Sequence, residues 1–129
     1  MAASFSANTK PVANGRYKQV TIDWVSAADG SVSGTFSEFG ELLRVIIDPG
    51  SPAPTALYDL VINDEFGIDI LAGQGANLSA TVSSNVCPGV PLKDGTTTSV
   101  IPMTIAGTLT VAITNAGDSK AGKIVLLMR

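Results

Sequence analysis

Apolar and polar side chains alternate one for one through several stretches of this chain, and nowhere do apolar residues recur at helical spacing over three turns. A period of two puts successive side chains on opposite faces of a strand, so the pattern predicts an almost entirely β protein. The cleanest run is Arg16 to Ser26, where Val20, Ile22 and Trp24 share one face and Gln19, Thr21, Asp23 and Val25 the other. Lys18 starts the apolar line. Thr104 to Asn115 repeats the pattern with Leu109, Val111 and Ile113, and Lys123 to Arg129 sets Ile124, Leu126 and Met128 against Val125 and Leu127. In Glu41 to Asp48 both faces are largely apolar, Leu43, Val45 and Ile47 against Leu42, Arg44 and Ile46, as in a strand covered on both sides.

Ala56 to Gly75 reads as the hairpin around which the rest is organised. Tyr58, Leu60 and Ile62 share one strand face, Asp64-Glu65-Phe66-Gly67 reverses the chain, and Ile68, Ile70 and Leu71 return it. Asp29-Gly30 and Asn115-Ala116-Gly117-Asp118 have the composition of further reversals, and Ser31 to Glu38 is a weaker strand. Pro49-Gly50-Ser51-Pro52-Ala53-Pro54 is a crossing loop, because proline lacks the N–H that a central ladder needs. A long loop poor in charge runs from Gln74 to Thr98 with a short strand at Leu78 to Val82, and Ser99 to Met103 opens the next pair of runs. About eight strands at short intervals predict an antiparallel β-sandwich, with a jelly roll as its form. Residues 16–129 are that single domain. Residues 1–15, small, polar and broken by Pro11 and Gly15, are predicted to be an extended N-terminal arm that serves an assembly rather than the fold.

A chain of 129 residues has room for one core, and with hydrophobic residues at 45% and charged ones at 15% part of its surface calls for a partner. The net charge of −3 is unevenly spread. Lys10, Arg16 and Lys18 stand without an acid in the first twenty residues, whereas residues 21–70 hold nine acids against Arg44. Three spaced basic residues do not make the dense patch that nucleic acid requires, so the arm's expected partner is an acidic protein surface, with Phe5 as its apolar anchor. Met1-Ala2-Ala3-Ser4 lacks the start of a secretory leader and no apolar run approaches a membrane span, so a soluble protein made in the cytoplasm is expected. Cys87 is the sole cysteine and reads as a small inert residue. Leu42, Ile46, Leu126 and Met128 are the candidate dimer contacts, because one domain cannot bury both faces of their strands and a two-fold pair of copies can.

Catalytic templates find little here. Without histidine there is no Ser-His-Asp or Cys-His arrangement, and the commonest zinc ligand is missing. Asp59, Asp64, Glu65 and Asp69 lie close enough in sequence for a glycosidase-like pair or an oxygen-ligand cation site, yet they lack the spacing of a calcium loop, and Asp is favoured in turns for backbone reasons alone. Gly73-Gln74-Gly75 lacks the third glycine of a dinucleotide loop. The expectation is a protein with no catalytic residues, no cofactor and no metal site.

Two stretches carry a resemblance. Tyr58-Asp59-Leu60-Val61-Ile62-Asn63-Asp64-Glu65-Phe66-Gly67-Ile68-Asp69, followed by Gly73 and Gly75, and Thr114-Asn115-Ala116-Gly117-Asp118-Ser119-Lys120-Ala121-Gly122-Lys123 resemble the capsid cement, or decoration, proteins of tailed phages, of the kind found on Bordetella short-tailed phages. The similarity spans roughly residues 16–129 and rests on turns and strands. It implies a jelly-roll structural protein that sits as a homodimer on the outer surface of the virion shell, bound to the major capsid protein. On that reading Phe5, Lys10, Arg16 and Lys18 become candidate shell contacts. The alternative from the residues is a carbohydrate- or receptor-binding β-module of a phage fibre or head appendage, although few aromatics are left over for stacking on sugars.

Overall fold

The computed structural model describes residues 3–87, 89–91, 98–100 and 102–129. Met1 and Ala2 of the expected arm, Pro88, residues 92–97 of the long loop and Ile101 of the expected 99–103 run lie outside the described residues. The strands are β1 (Ser4–Val12), β2 (Tyr17–Val25), β3 (Val32–Pro49), β4 (Asp59–Asn63), β5 (Ser84–Val86), β6 (Gly89–Pro91), β7 (Thr98–Val100), β8 (Met103–Thr114) and β9 (Ala121–Met128). Among the described residues there is no helix. One antiparallel seven-stranded sheet runs in the order β1-β2-β9-β3-β8-β4, with β5 added against β3, and β6 and β7 form a separate pair.

The core follows the alternation. Val20, Ile22 and Trp24 of β2, Leu109, Val111 and Ile113 of β8, and Ile124, Leu126 and Met128 of β9 are all buried together, with Leu60 and Ile62 of β4. The sheet curls to bring these faces into contact. Trp24 and Tyr58 lie near opposite ends of the strand order, yet their ring centroids are 5.9 Å apart. The indole also lies flat against Gly122, its cross-strand partner, where any side chain would overlap the ring.

Three expectations are corrected. First, the two strands read at Ser31–Glu38 and Glu41–Asp48 are one 18-residue strand, β3. Its first half pairs with β8 and its second half with β9, and the register skips Leu43 between Leu42 and Arg44. One extra residue at such a bulge reverses the facing of everything beyond it. Leu42 therefore points inward along with Val45 and Ile47, and Leu43 outward. Gly40, at φ +135°, bends the strand just before the bulge, in a conformation and against a neighbouring carbonyl that together exclude a side chain.

Second, within the expected arm of residues 1–15, Ser4 to Val12 does not stand away from the domain. Ser4 to Val12 is an edge strand in register with β2 along its whole length, and Phe5 packs its ring on Gly34 of β3, where there is no room for a Cβ. Backbone hydrogen bonds to β2 hold most of this polar strand, with Phe5 and Ala7 adding apolar packing against the core, which is why its polarity misled here. Third, the hairpin at 56–75 is not the centre of the sheet. β4 occupies one edge and pairs with β8, and the return segment forms only a single bridge, Asn63 to Asp69, before coiling over that edge. Leu78 likewise makes one bridge, to Tyr58, in place of a short strand.

Candidate functional site

The outer face of β2, β9 and β3 holds an apolar surface groove that the alternation and the bulge create. Leu42, Leu126 and Met128, three of the four expected dimer contacts, have no exposed surface and belong to the core. They cannot touch a partner while the domain is folded. Ile46 is half-buried on the outer side, paired with Val125, and Leu127 lies between Gln19 and Arg44 on the same face. Leu43, turned out by the bulge, joins Val12, Tyr17, Arg44, Cys87 and Leu127 around a groove of about 460 Å³. Arg44 is held at the rim by donation from its Nε to Asn85 Oδ1 at 2.8 Å.

A second, basic cleft of about 390 Å³ adjoins it. Arg16 and Lys18 line this cleft with Arg129, Thr9, Pro11, Gly15 and Tyr17. Of the expected shell contacts, the structure thus brings Arg16 and Lys18 together. It separates the other two. Lys10 is one residue out of phase with Thr9 and Pro11 and so faces the other side of the sheet, and Phe5 lies against Gly34. Tyr17, 40% exposed, lines both the basic cleft and the apolar groove, so the two meet at this residue, the cleft on the Thr9 and Lys18 side of the sheet and the groove on the Val12 and Leu127 side. Sequence reasoning missed Arg129, Leu43 and Tyr17. Only the bulge reveals Leu43, and only the β2–β9 pairing brings the chain's end beside Lys18.

Two of the basic groups are partly compensated. Lys18 Nζ donates to Glu38 Oε1 at 2.5 Å and to the carbonyl of Phe39, and Arg129 lies 3.7 Å from Glu41. Glu38 also accepts from Thr9 Oγ1 at 2.9 Å, so one carboxylate ties β1, β2 and β3. Burial disfavours its charge, but Lys18, Thr9 and the Phe39 N–H together hold its pKa below the ordinary glutamate value. A carboxyl with a lowered folded pKa contributes stability in full above its unfolded pKa, and the contribution is lost as the pH falls through the folded value. Glu38→Gln is therefore expected to cost about 1–3 kcal/mol at neutral pH. In urea unfolding followed from pH 7 into the acid range, the gap between natural protein and variant should close as the pH falls; a gap that widens would contradict this assignment.

The acidic residues around the 64–67 turn serve the backbone. Asp64 Oδ1 accepts from the N–H groups of Phe66 and Ile68, Asp69 from those of Ile62, Leu71 and Gly73, and Glu65 from Thr108 on β8. Asp59 accepts from Asn77 N–H and Asn115 Nδ2, and these bonds hold its pKa below the usual carboxylate value. Each of these carboxylates holds a loop shape, and among the described residues no group of three or more acids or thiols converges as metal ligands would. Phe66 at the tip of this turn is 83% exposed.

No family model matches this chain, and neither does any curated protein.

Proposed function

We propose that this protein is a structural component of a tailed-phage virion that binds the outside of the assembled shell as a dimer and stabilises it. The observation that carries the reading is the pair of surfaces that share Tyr17, an apolar groove and a basic cleft. Apolar contacts there would hold the major capsid protein, and Arg16, Lys18 and Arg129 would favour an acidic patch on it. Finer architecture belongs to the same proposal: the curled sheet is a two-layered sandwich of the jelly-roll kind, supported by the Trp24–Tyr58 contact between strands near its two ends and the Phe5–Gly34 contact between β1 and β3.

The mechanism is linkage. A subunit that binds only the assembled shell stabilises it by RT ln(1 + [L]/Kd), about 2.7 kcal/mol per site at a hundredfold excess over Kd, and many copies multiply the effect. A dimer gains further from the effective concentration of its second contact, so each single contact can be weak. No catalysis, cofactor or nucleic acid enters this role.

Co-sedimentation with preformed, undecorated tailed-phage shells tests the reading. Binding should saturate, and added salt should slow association more than it speeds release, as when charges steer and apolar contacts hold. Absence of binding at low salt would overturn it. The second reading, a carbohydrate- or receptor-binding module, draws on the exposed Phe66 and Phe39, and glycan binding that Phe66→Ala abolishes would favour it.

A further inference from the structure

The two ends of the strand order are treated very differently. At β4, the loop that follows closes the edge: Leu60 N–H donates to Gly75 O at 2.7 Å, Ile70 N–H to Ile62 O at 2.8 Å, and Asp69 Oδ1 accepts from Ile62 N–H. Gly75 permits this, since a Cβ there would collide with the Leu60 carbonyl. At β1 nothing comparable occurs. Among the described residues, the backbone of Ser4 to Lys10 is hydrogen-bonded to β2 alone, so every second N–H and C=O along the outer edge has no protein partner.

Open edges are ordinarily protected by charge, proline, a bulge or a covering segment. Ser4 to Thr9 has none of these. Lys10 and Pro11 protect only one end. We propose that β1 is a pairing edge whose occupant is β1 of a second copy, laid antiparallel across a two-fold axis so that two seven-stranded sheets become one. The proposal deepens the dimer part of the function proposed above and rests on it for the number of copies; shell binding plays no part in it.

Physical constraints select the register. A two-fold axis through the sheet keeps the core side of both copies together, so Phe5, Ala7 and Thr9 must face residues of the same parity. Pro11 has no N–H for the ladder, so pairing ends at Lys10. A ladder over residues 4–10 is centred on Ala7. Ser4 of one copy then opposes Lys10 of the other, Phe5 opposes Thr9, and Ser6 opposes Asn8. The two Lys10 side chains stand six residues apart along the new ladder, about 20 Å at strand rise, beyond the screening length at physiological salt. Nothing in that register repels. Ser6 and Asn8 are exposed in the single domain and face outward, which makes them the positions for a test.

Sedimentation equilibrium on the full chain and two double variants decides the matter. Ser6→Lys with Asn8→Lys places like charges directly opposite each other twice across the axis, and should weaken the dimer at least about tenfold. Ser6→Lys with Asn8→Glu places opposite charges at the same points, and should restore dimerisation to the natural level or better. Thermal unfolding should show both variants folded, since neither position touches the core. A dimer indifferent to both variants would overturn the edge while leaving a dimeric cement protein possible. A natural chain that stays monomeric at high concentration would overturn both.

Discussion

Trp24→Ala should destabilise the protein by about 3–5 kcal/mol, the usual range for emptying a buried aromatic site. The indole is 2% exposed and lies where three parts of the curled sheet meet: β2 that carries it, Tyr58 ahead of β4, and the bare backbone of Gly122 on β9. Neighbours that are themselves strands in one ladder have little freedom to collapse into the space. For a domain of this size the change corresponds to a fall in Tm of roughly 10–20 °C. Urea unfolding followed by circular dichroism measures it, and a loss below about 1 kcal/mol would mean that the ring is not packed as described. In the natural protein, indole emission should be that of a water-shielded ring.

Neighbouring residues on β9 should give opposite results when each is changed to aspartate. Leu126 has no exposed surface and sits between Val20 and Val45, so Leu126→Asp places a carboxylate among apolar side chains without a partner. Such a change is expected to remove more than about 4 kcal/mol, enough to leave much of the chain unfolded. Leu127 faces the groove beside Arg44, and Leu127→Asp should change folding stability by about 1 kcal/mol or less. The functional effect reverses: the stable Leu127 variant should bind shells at least about tenfold more weakly, because a hydrated carboxylate replaces an apolar contact in the proposed interface. Unfolding midpoints and co-sedimentation on the two variants check this. Equal damage to folding from both would contradict the facing of β9.

Side-chain alternation was enough to read β2 and β8 and to name their inward residues, because each is a regular strand with one more polar face; β9 was read as a strand too, but both its faces are apolar, and Leu126 and Met128 were assigned to a partner when they belong to the core. It failed where regularity breaks. Leu43 is an inserted residue, and nothing in Glu41-Leu42-Leu43-Arg44-Val45 distinguishes a bulge from simple alternation, so Leu42 and Leu43 were assigned to each other's faces. β1 escaped notice because its attachment is made largely by backbone groups, to which side-chain patterns are blind, and its apolar packing is confined to Phe5 and Ala7 at alternate positions. The return of the 56–75 segment was misread since Asp69 engages three backbone N–H groups in place of a second ladder. The surface at Tyr17 depends on all of these at once. Its residues come from β1, the turn after it, β2, the β3 bulge, the segment after β5 and the chain's end, and only the strand order brings them together.

Shell stabilisation is tested most directly by scanning calorimetry of preformed, undecorated tailed-phage shells with and without saturating protein. The proposed role predicts that the shell transition moves to higher temperature with protein present, and that the shift grows with free protein concentration as linkage requires. The Leu127→Asp variant, folded but impaired at the groove, should shift the transition much less at the same concentration. A shell transition unchanged at saturating natural protein would contradict the role outright.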